Sequence, residues 1–300
     1  MAHVIQLKWL QNNVHKKKGT QETIYRLHTC GRNIASGGSL QHLKSMFRKA
    51  LCMSNDVDID VENCHPVILD QILRQAEISF PLLAEYAKDK KAFCVKPLTK
   101  LTVIHLLNGK SVSALLKDVQ VSDETKTWLM EFKKQRDGAL NQLFSQKRYA
   151  GFKEYALKVR ERNEKQFGHW TDTAVSCLMF NCEREITYIA MERLEELKYR
   201  ITAYIFDGFH VQKDRSKPSG VDPEDLREAE RAVELKSLHR FKIKLVKKSL
   251  SDYDPDQVFP KLDEVQRPNY GTVRANFEAE ERLWLVRNEK MYIQTKPCAF

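Results

Sequence analysis

The sequence predicts an α+β protein in which an antiparallel sheet is interrupted by a long helical lobe. Three observations lead there. Residues 56–60 read Asp-Val-Asp-Ile-Asp, a polar–apolar alternation with the period of a strand. Thr202 to Phe206 is a short apolar strand that reaches Asp207-Gly208 and continues as Phe209-His210-Val211, the strongest local hairpin signal in the chain. Between the two, from Leu82 to Arg200, apolar residues recur at spacings of three and four against Lys, Arg and Glu, as in amphipathic helices.

The remaining elements follow in order. Met1 to about Arg26 carries one apolar cluster and the basic run Lys16-Lys17-Lys18, and reads as a lead-in. A glycine-punctuated loop from Thr29 precedes the Asp-rich strand, after which helical spacing takes over through Ile72. Past the hairpin, Asp222 is a candidate N-cap with Pro223 at the first helical position. Phe241 to Lys248 then alternates like a strand, and a last helix is expected near Ala275 to Val286. No internal repeat or low-complexity tract interrupts this order.

Three hundred residues, 42% of them hydrophobic, are enough for a sizeable core and hence for an enzyme. The net charge of +10 favours a polyanionic partner, since clustered Lys and Arg release counterions from phosphate backbones, although a solvated basic surface gives the same total. Seven cysteines without a C-x-x-C pair argue against a disulfide framework or a zinc finger and read as reduced, mostly buried thiols. Apolar runs such as Val175 to Phe180 fall far short of the ~20 residues that span a bilayer. With no apolar signal core at the start, an intracellular, soluble protein with no membrane partner is expected.

Asp56, Asp58 and Asp60 lie two apart, so a strand projects all three from one face, and burying that face is costly unless cations neutralise it. Asp207, at the tip of the hairpin, is a second acid from a second strand. Together they form a minimal cage for two Mg²⁺ ions of the kind that work ~3.5–4 Å apart in phosphoryl transfer. Each segment alone reads equally well as an ordinary turn or a solvent-facing strand end.

Other motifs join them. Cys30-Gly31-Arg32 through Ser39-Leu40-Gln41 resembles the TGR…PNLQ signature of family A DNA polymerases, and Arg48-Lys49-Ala50-Leu51 resembles the R-x-A-F that follows it. Asp60-Val61-Glu62-Asn63-Cys64-His65 is similar to motif A, with His65 at the place of the sugar-discriminating Glu. Lys96-x₃-Lys100-x₃-Ile104-x₃-Asn108-Gly109 reproduces the spacing of motif B, R-x₃-K-x₃-F-x₃-Y-G, and Phe206-Asp207-Gly208 resembles motif C. Residues four apart share one helix face, which is the reason for the motif B spacing.

The resemblance covers roughly Tyr25 to Leu250 and implies a polymerase palm with an inserted helical fingers lobe. Residues 26–71 and 173–250 would form the palm and 72–172 the fingers. Residues 1–25 would be the lead-in and 251–300 a tail, with thumb and exonuclease domains absent. It implies that Asp60, Asp207 and the backbone carbonyl of Val61 bind two Mg²⁺ ions, with Mn²⁺ as a substitute. Lys96 and Lys100 would hold the triphosphate, while Ile104, Asn108 and His65 would face the base and sugar. Arg32, Gln41 and Asn181 would contact primer or template. Implied partners are a DNA primer-template, deoxynucleoside triphosphates and a helicase or processivity factor.

The chain also departs from the family. Gly208 replaces the second acid of motif C, and Ile104 and Asn108 replace two aromatics. Asn63-Cys64-His65-Pro66 is similar to divergent palms of large DNA viruses and mobile elements. Two further readings therefore stand beside the polymerase: a catalytically weak palm serving as a DNA-binding scaffold, and a primase-like nucleotidyltransferase.

Overall fold

The computed structural model describes residues 25–27, 31–35, 40–42, 52, 55–89, 100–117, 119–162, 169–213 and 220–248. Lys96, the loop at 36–39, Arg48-Lys49-Ala50-Leu51 and the tail helix expected near Ala275 lie outside these residues. Every described residue belongs to one compact unit, residues 1–253.

The sheet has four antiparallel strands in the order β4-β5-β3-β6. In chain order, β1 (Tyr25–Leu27) and β2 (Asn33–Ala35) form a small separate hairpin, and β3 is Asp56–Val61. The alternation of β3 works as predicted. Val57, Ile59 and Val61 enter the core, while Asp56, Asp58 and Asp60 share the opposite face. β4 (Ile201–Ile205) and β5 (Gly208–Gln212) make the central hairpin, and β6 is Leu245–Lys248. The strand predicted from Phe241 forms only over its second half; Phe241 instead plugs the core with no exposed surface.

Eight α-helices occur among the described residues. α1 (Cys64–Gln75) follows β3 directly, and Pro66 is tolerated in its first turn, where backbone N–H groups have no helical partner. α1 crosses the expected palm–fingers boundary at 71/72 without a break. α2 is Pro81–Lys88, α3 Lys100–Leu107 and α4 Val112–Leu115. α5 (Asp123–Ser145) starts at Ser122, whose hydroxyl accepts from the Thr125 N–H, with Asp123 and Glu124 in its first turn. α6 (Ala150–Arg162) leads to α7 (Trp170–Glu196), roughly 40 Å long at 1.5 Å per residue.

α7 buries residues around much of its circumference, from Ala174 and Leu178 to Ile186 and Leu194, and packs against α1, α5, α6 and β5. It is the axial helix of the unit. α8 (Pro223–Lys236) lies along it and begins with proline as predicted. The expected cap at Asp222 differs: its side chain does not cap the helix but accepts from the Tyr199 hydroxyl at 3.3 Å.

Core packing continues from sheet to lobe. Ile59, Ile68, Ile72, Phe132, Leu140 and Phe209 are among its fully enclosed side chains. Phe132 lies between Phe80 and Trp128, with ring centroids 4.9 and 5.1 Å away, so these aromatics are core and not a stacking surface. His105 on α3 is exposed.

Candidate active site

The sheet register brings the two carboxylates together. Asp60 pairs with Gly208, which places Asp207 beside it at the hairpin tip, and the Val61 N–H donates to the Asp207 carbonyl at 3.0 Å. The turn between β4 and β5 consists of Phe206 and Asp207. Phe206, not Gly208, takes the positive φ of 53°, a strained conformation for a bulky residue.

Gly208 has a different purpose. A Cβ there would stand 2.4 Å from the Ile59 carbonyl oxygen and 2.8 Å from Asp60 Oδ1. Only a residue without a side chain lets β5 approach Asp60 this closely. The same crowding leaves no room for an acidic side chain at position 208.

Asp60 is buried, and its carboxyl is pushed up to about 6 by loss of solvent and by the negative charge of Asp207. A cation opposes both effects. Lys248 on β6 makes an ion pair with Asp60 and also feels Asp58 and Asp207. Burial alone would lower the Lys248 pKa, but these carboxylates hold it above its ordinary value. Cys64, wholly buried, is pushed well up by burial and by the charges of Asp207, Glu183 and Asp60. The anionic groups of the pair are carboxylates, and oxygen ligands suit a hard divalent cation such as Mg²⁺.

A second constellation adjoins the acids. Glu183, 1% exposed, accepts from Arg32 Nε at 3.1 Å and Nη2 at 2.9 Å, and pairs with His65 Nε2 at 2.7 Å. Burial would raise the Glu183 pKa, but the bonds from His65 and Arg32 outweigh it and hold the carboxyl low. The Arg32 guanidinium also lies 4.0 Å from the Phe180 ring centroid and 4.3 Å from that of Phe206. Gly31, at φ 91°, lies so close to α7 that a Cβ would overlap the Asn181 amide at 2.1 Å. The glycine-arginine pair thus fits the Gly31 backbone against α7 while Arg32 reaches Glu183.

The other predicted residues fall as follows. Gln41 is buried and braces the small hairpin, accepting from the Ala35 N–H at 2.7 Å and donating to the Asn33 carbonyl at 3.0 Å. Asn181 donates to the Cys177 carbonyl at 2.8 Å, one turn back in α7. Lys100 opens α3, and its side chain lies outside the described residues. α3 buries Val103, Leu106 and Leu107, which leaves Ile104 and Asn108 on its outer side. The Asn108 side chain returns to the Ile104 carbonyl at 3.0 Å and accepts from Ser176 at 3.3 Å.

Arg136 escaped the sequence reading. It is fully buried, donates to the Leu107 carbonyl at the end of α3 at 3.1 Å, and pairs with Asp137 at 2.7 Å and with Asp172 on α7 at 2.5 Å. A buried arginine in a helical, Lys-rich segment has no local signature. A separate cavity of 360 Å³, lined by residues including Asn63, Lys88, Lys242 and Lys244, includes neither Asp60 nor Asp207 in its wall.

The α+β fold is compatible with a polymerase palm-like domain. The chain is similar to the POL domain of Pol1 from M. smegmatis, solved in complex with DNA primer-template and dNTP, with a TM-score of 0.52 and 13% identity. The match covers 82% of this chain and 50% of that one, so the chain spans half the length of the structure it resembles. No protein-family model matches the sequence, and no curated protein matches it. Among the described residues no helix is long and apolar enough to cross a membrane.

Proposed function

We propose that this chain is a template-directed DNA polymerase that adds deoxynucleotides to a primer 3′ end, with Asp60, Asp207 and the Val61 carbonyl as its metal-binding groups. The observation that carries the proposal is the pairing of Asp60 with Gly208. It sets Asp207, in the turn between β4 and β5, beside the buried Asp60, which already pairs with a cation, Lys248. Mg²⁺ bound there would activate the 3′-hydroxyl and stabilise the leaving pyrophosphate oxygen.

The protein's own groups have separate tasks. Lys96 and Lys100 neutralise the triphosphate, and Ile104 and Asn108 continue that helix face towards base and sugar. His65, fixed by Glu183, stands at the ribose edge. Arg32, gripped by Glu183 and two rings, shapes the floor under the primer terminus, whereas Asn181 and Gln41 hold neighbouring backbone in place. The likeness of Asn63-Cys64-His65-Pro66 to divergent palms supports a role in replication of viral or mobile-element type.

A scaffolding palm is the second reading, favoured by Gly208 in place of an acid and by the ammonium on Asp60. Primer extension on a labelled primed template with Mg²⁺ and then Mn²⁺ separates the two. Extension by the parent that is lost in Asp60→Ala and in Asp207→Ala supports the polymerase. Tight DNA binding with no extension under either metal supports the scaffold. Products on unprimed template would mark a primase-like enzyme.

A further inference from the structure

Asp60 is not the only acid of β3 with chemistry around it. At the opposite end of the strand, Cys52, Asp56 and His210 bring one sulfur, one carboxylate oxygen and one imidazole nitrogen within 4.8 Å of one another. All three residues are buried, at 6%, 8% and 1% exposure. They come from separate pieces of chain that the fold holds in register. The Asn55 N–H donates to the Cys52 carbonyl at 3.0 Å, closing a turn that sets Cys52 just ahead of β3, and the Lys213 N–H donates to the Asn55 carbonyl at 2.7 Å. His210 is opposite Asp58 on β5, one pleat from Asp56.

The spacing of the polar atoms is informative. Asp56 Oδ2 stands 3.9 Å from His210 Nδ1, beyond hydrogen-bond reach. Ligand atoms of a tetrahedral ion with bonds of about 2.0–2.3 Å stand roughly 3.5 Å apart, so a small inward movement of these side chains would close such a shell. Outer groups are present as well. The Thr202 hydroxyl donates to Asp56 Oδ2 at 3.0 Å, and Asp58 Oδ1 stands 3.8 Å from His210 Nε2, the side of the ring away from Asp56. Hydroxyl and carboxylate groups in those positions orient metal-binding carboxylates and imidazoles.

We propose that Cys52, Asp56 and His210 bind one divalent transition-metal ion of the zinc class, which clips the segment before β3 to β5. Sulfur, nitrogen and oxygen donors together select such an ion over Mg²⁺ or Ca²⁺. Three protein ligands leave a fourth position for water. The site is separate from the carboxylate pair, because four residues of strand put Asp56 roughly 13 Å from Asp60. It stands whether or not the chain polymerises DNA.

The test uses the full chain, stripped with a chelator and titrated with Co²⁺ and Zn²⁺. The expected result, with excess Mg²⁺ present to occupy the carboxylate pair, is a thiolate-to-metal charge-transfer band that saturates at one equivalent of Co²⁺, and a Zn²⁺-dependent rise in the unfolding midpoint. Cys52→Ser should lose the band, and His210→Gln should weaken binding about tenfold or more. Circular dichroism establishes that each variant is folded. A parent without the band, or a band that persists in folded Cys52→Ser, would overturn the assignment.

Discussion

Lys248 pairs with Asp60, so a metal bound there as proposed would have to displace it, and that competition can be measured. An ion pair of this exposure is worth roughly 1 kcal/mol, so Lys248→Met should lower the Mg²⁺ concentration for half-maximal primer extension about fivefold. An unchanged requirement would show that the ammonium leaves Asp60 at no cost. Gly208 makes the opposite demand, for empty space. Gly208→Ala should destabilise the protein by roughly 1–3 kcal/mol in thermal or urea unfolding, because the new methyl meets a strand carbonyl. Placing an acid there with Gly208→Glu should reduce extension, not raise it. The carboxylates were legible in the sequence because strand alternation and a hairpin turn are local signals. Lys248 was not: β6 is rich in lysine, and only the register, with Lys248 opposite Asp58, shows which one faces the acids.

At the scale of elements, α3 and α7 are joined by the buried fork of Arg136, which reaches the last carbonyl of α3 and the carboxylate of Asp172. Arg136→Ala would leave that carboxylate and carbonyl without their partner. A loss of about 3–5 kcal/mol is expected, read from the urea midpoint at unchanged slope. The helices themselves were readable from apolar spacing, and α8 from its proline start. What spacing could not supply was the partner of each helix. Glu183 looks like one polar residue among several on α7 until Arg32, 151 positions away in sequence, closes on it. The apolar spacing of the stretch around Ile104 was legible as a helix, and α3 buries Val103, Leu106 and Leu107.

Across the whole molecule, acid stability should carry the mark of His239. Its ring stacks on Tyr149 at 6.2 Å, its Nδ1 lies 3.1 Å from Gln75 Oε1 and 3.3 Å from Arg148 Nη2, and burial together with the Arg148 charge lowers its pKa to about 4. The unfolded chain therefore takes up this proton first, and the stability it represents is lost as pH falls from about 6.5 towards 4. Asp60, held at about 6, acts in the opposite direction over part of that window, so the comparison must be between variants. His239→Gln should unfold with a flatter pH dependence than the parent between pH 6.5 and about 4, by chemical denaturation at fixed temperature. Glu183, whose carboxyl is held low, adds a further loss only below its ordinary value of 4.5. The sheet was foreseeable from sequence as an α+β core, but its strand order was not, since β3 enters between two strands that lie far later in the chain.

The small hairpin of β1 and β2 has one more consequence. β4 is an edge strand, and the Tyr25 hydroxyl donates to the Tyr204 carbonyl at 3.2 Å while accepting from the Tyr204 N–H at 3.1 Å. One phenol thus occupies both groups with which a foreign strand would begin to pair. A protein lacking that hydroxyl offers a template for self-association at its border, and Tyr25→Phe should shorten the time to aggregation on mild heating even where its native fold is intact.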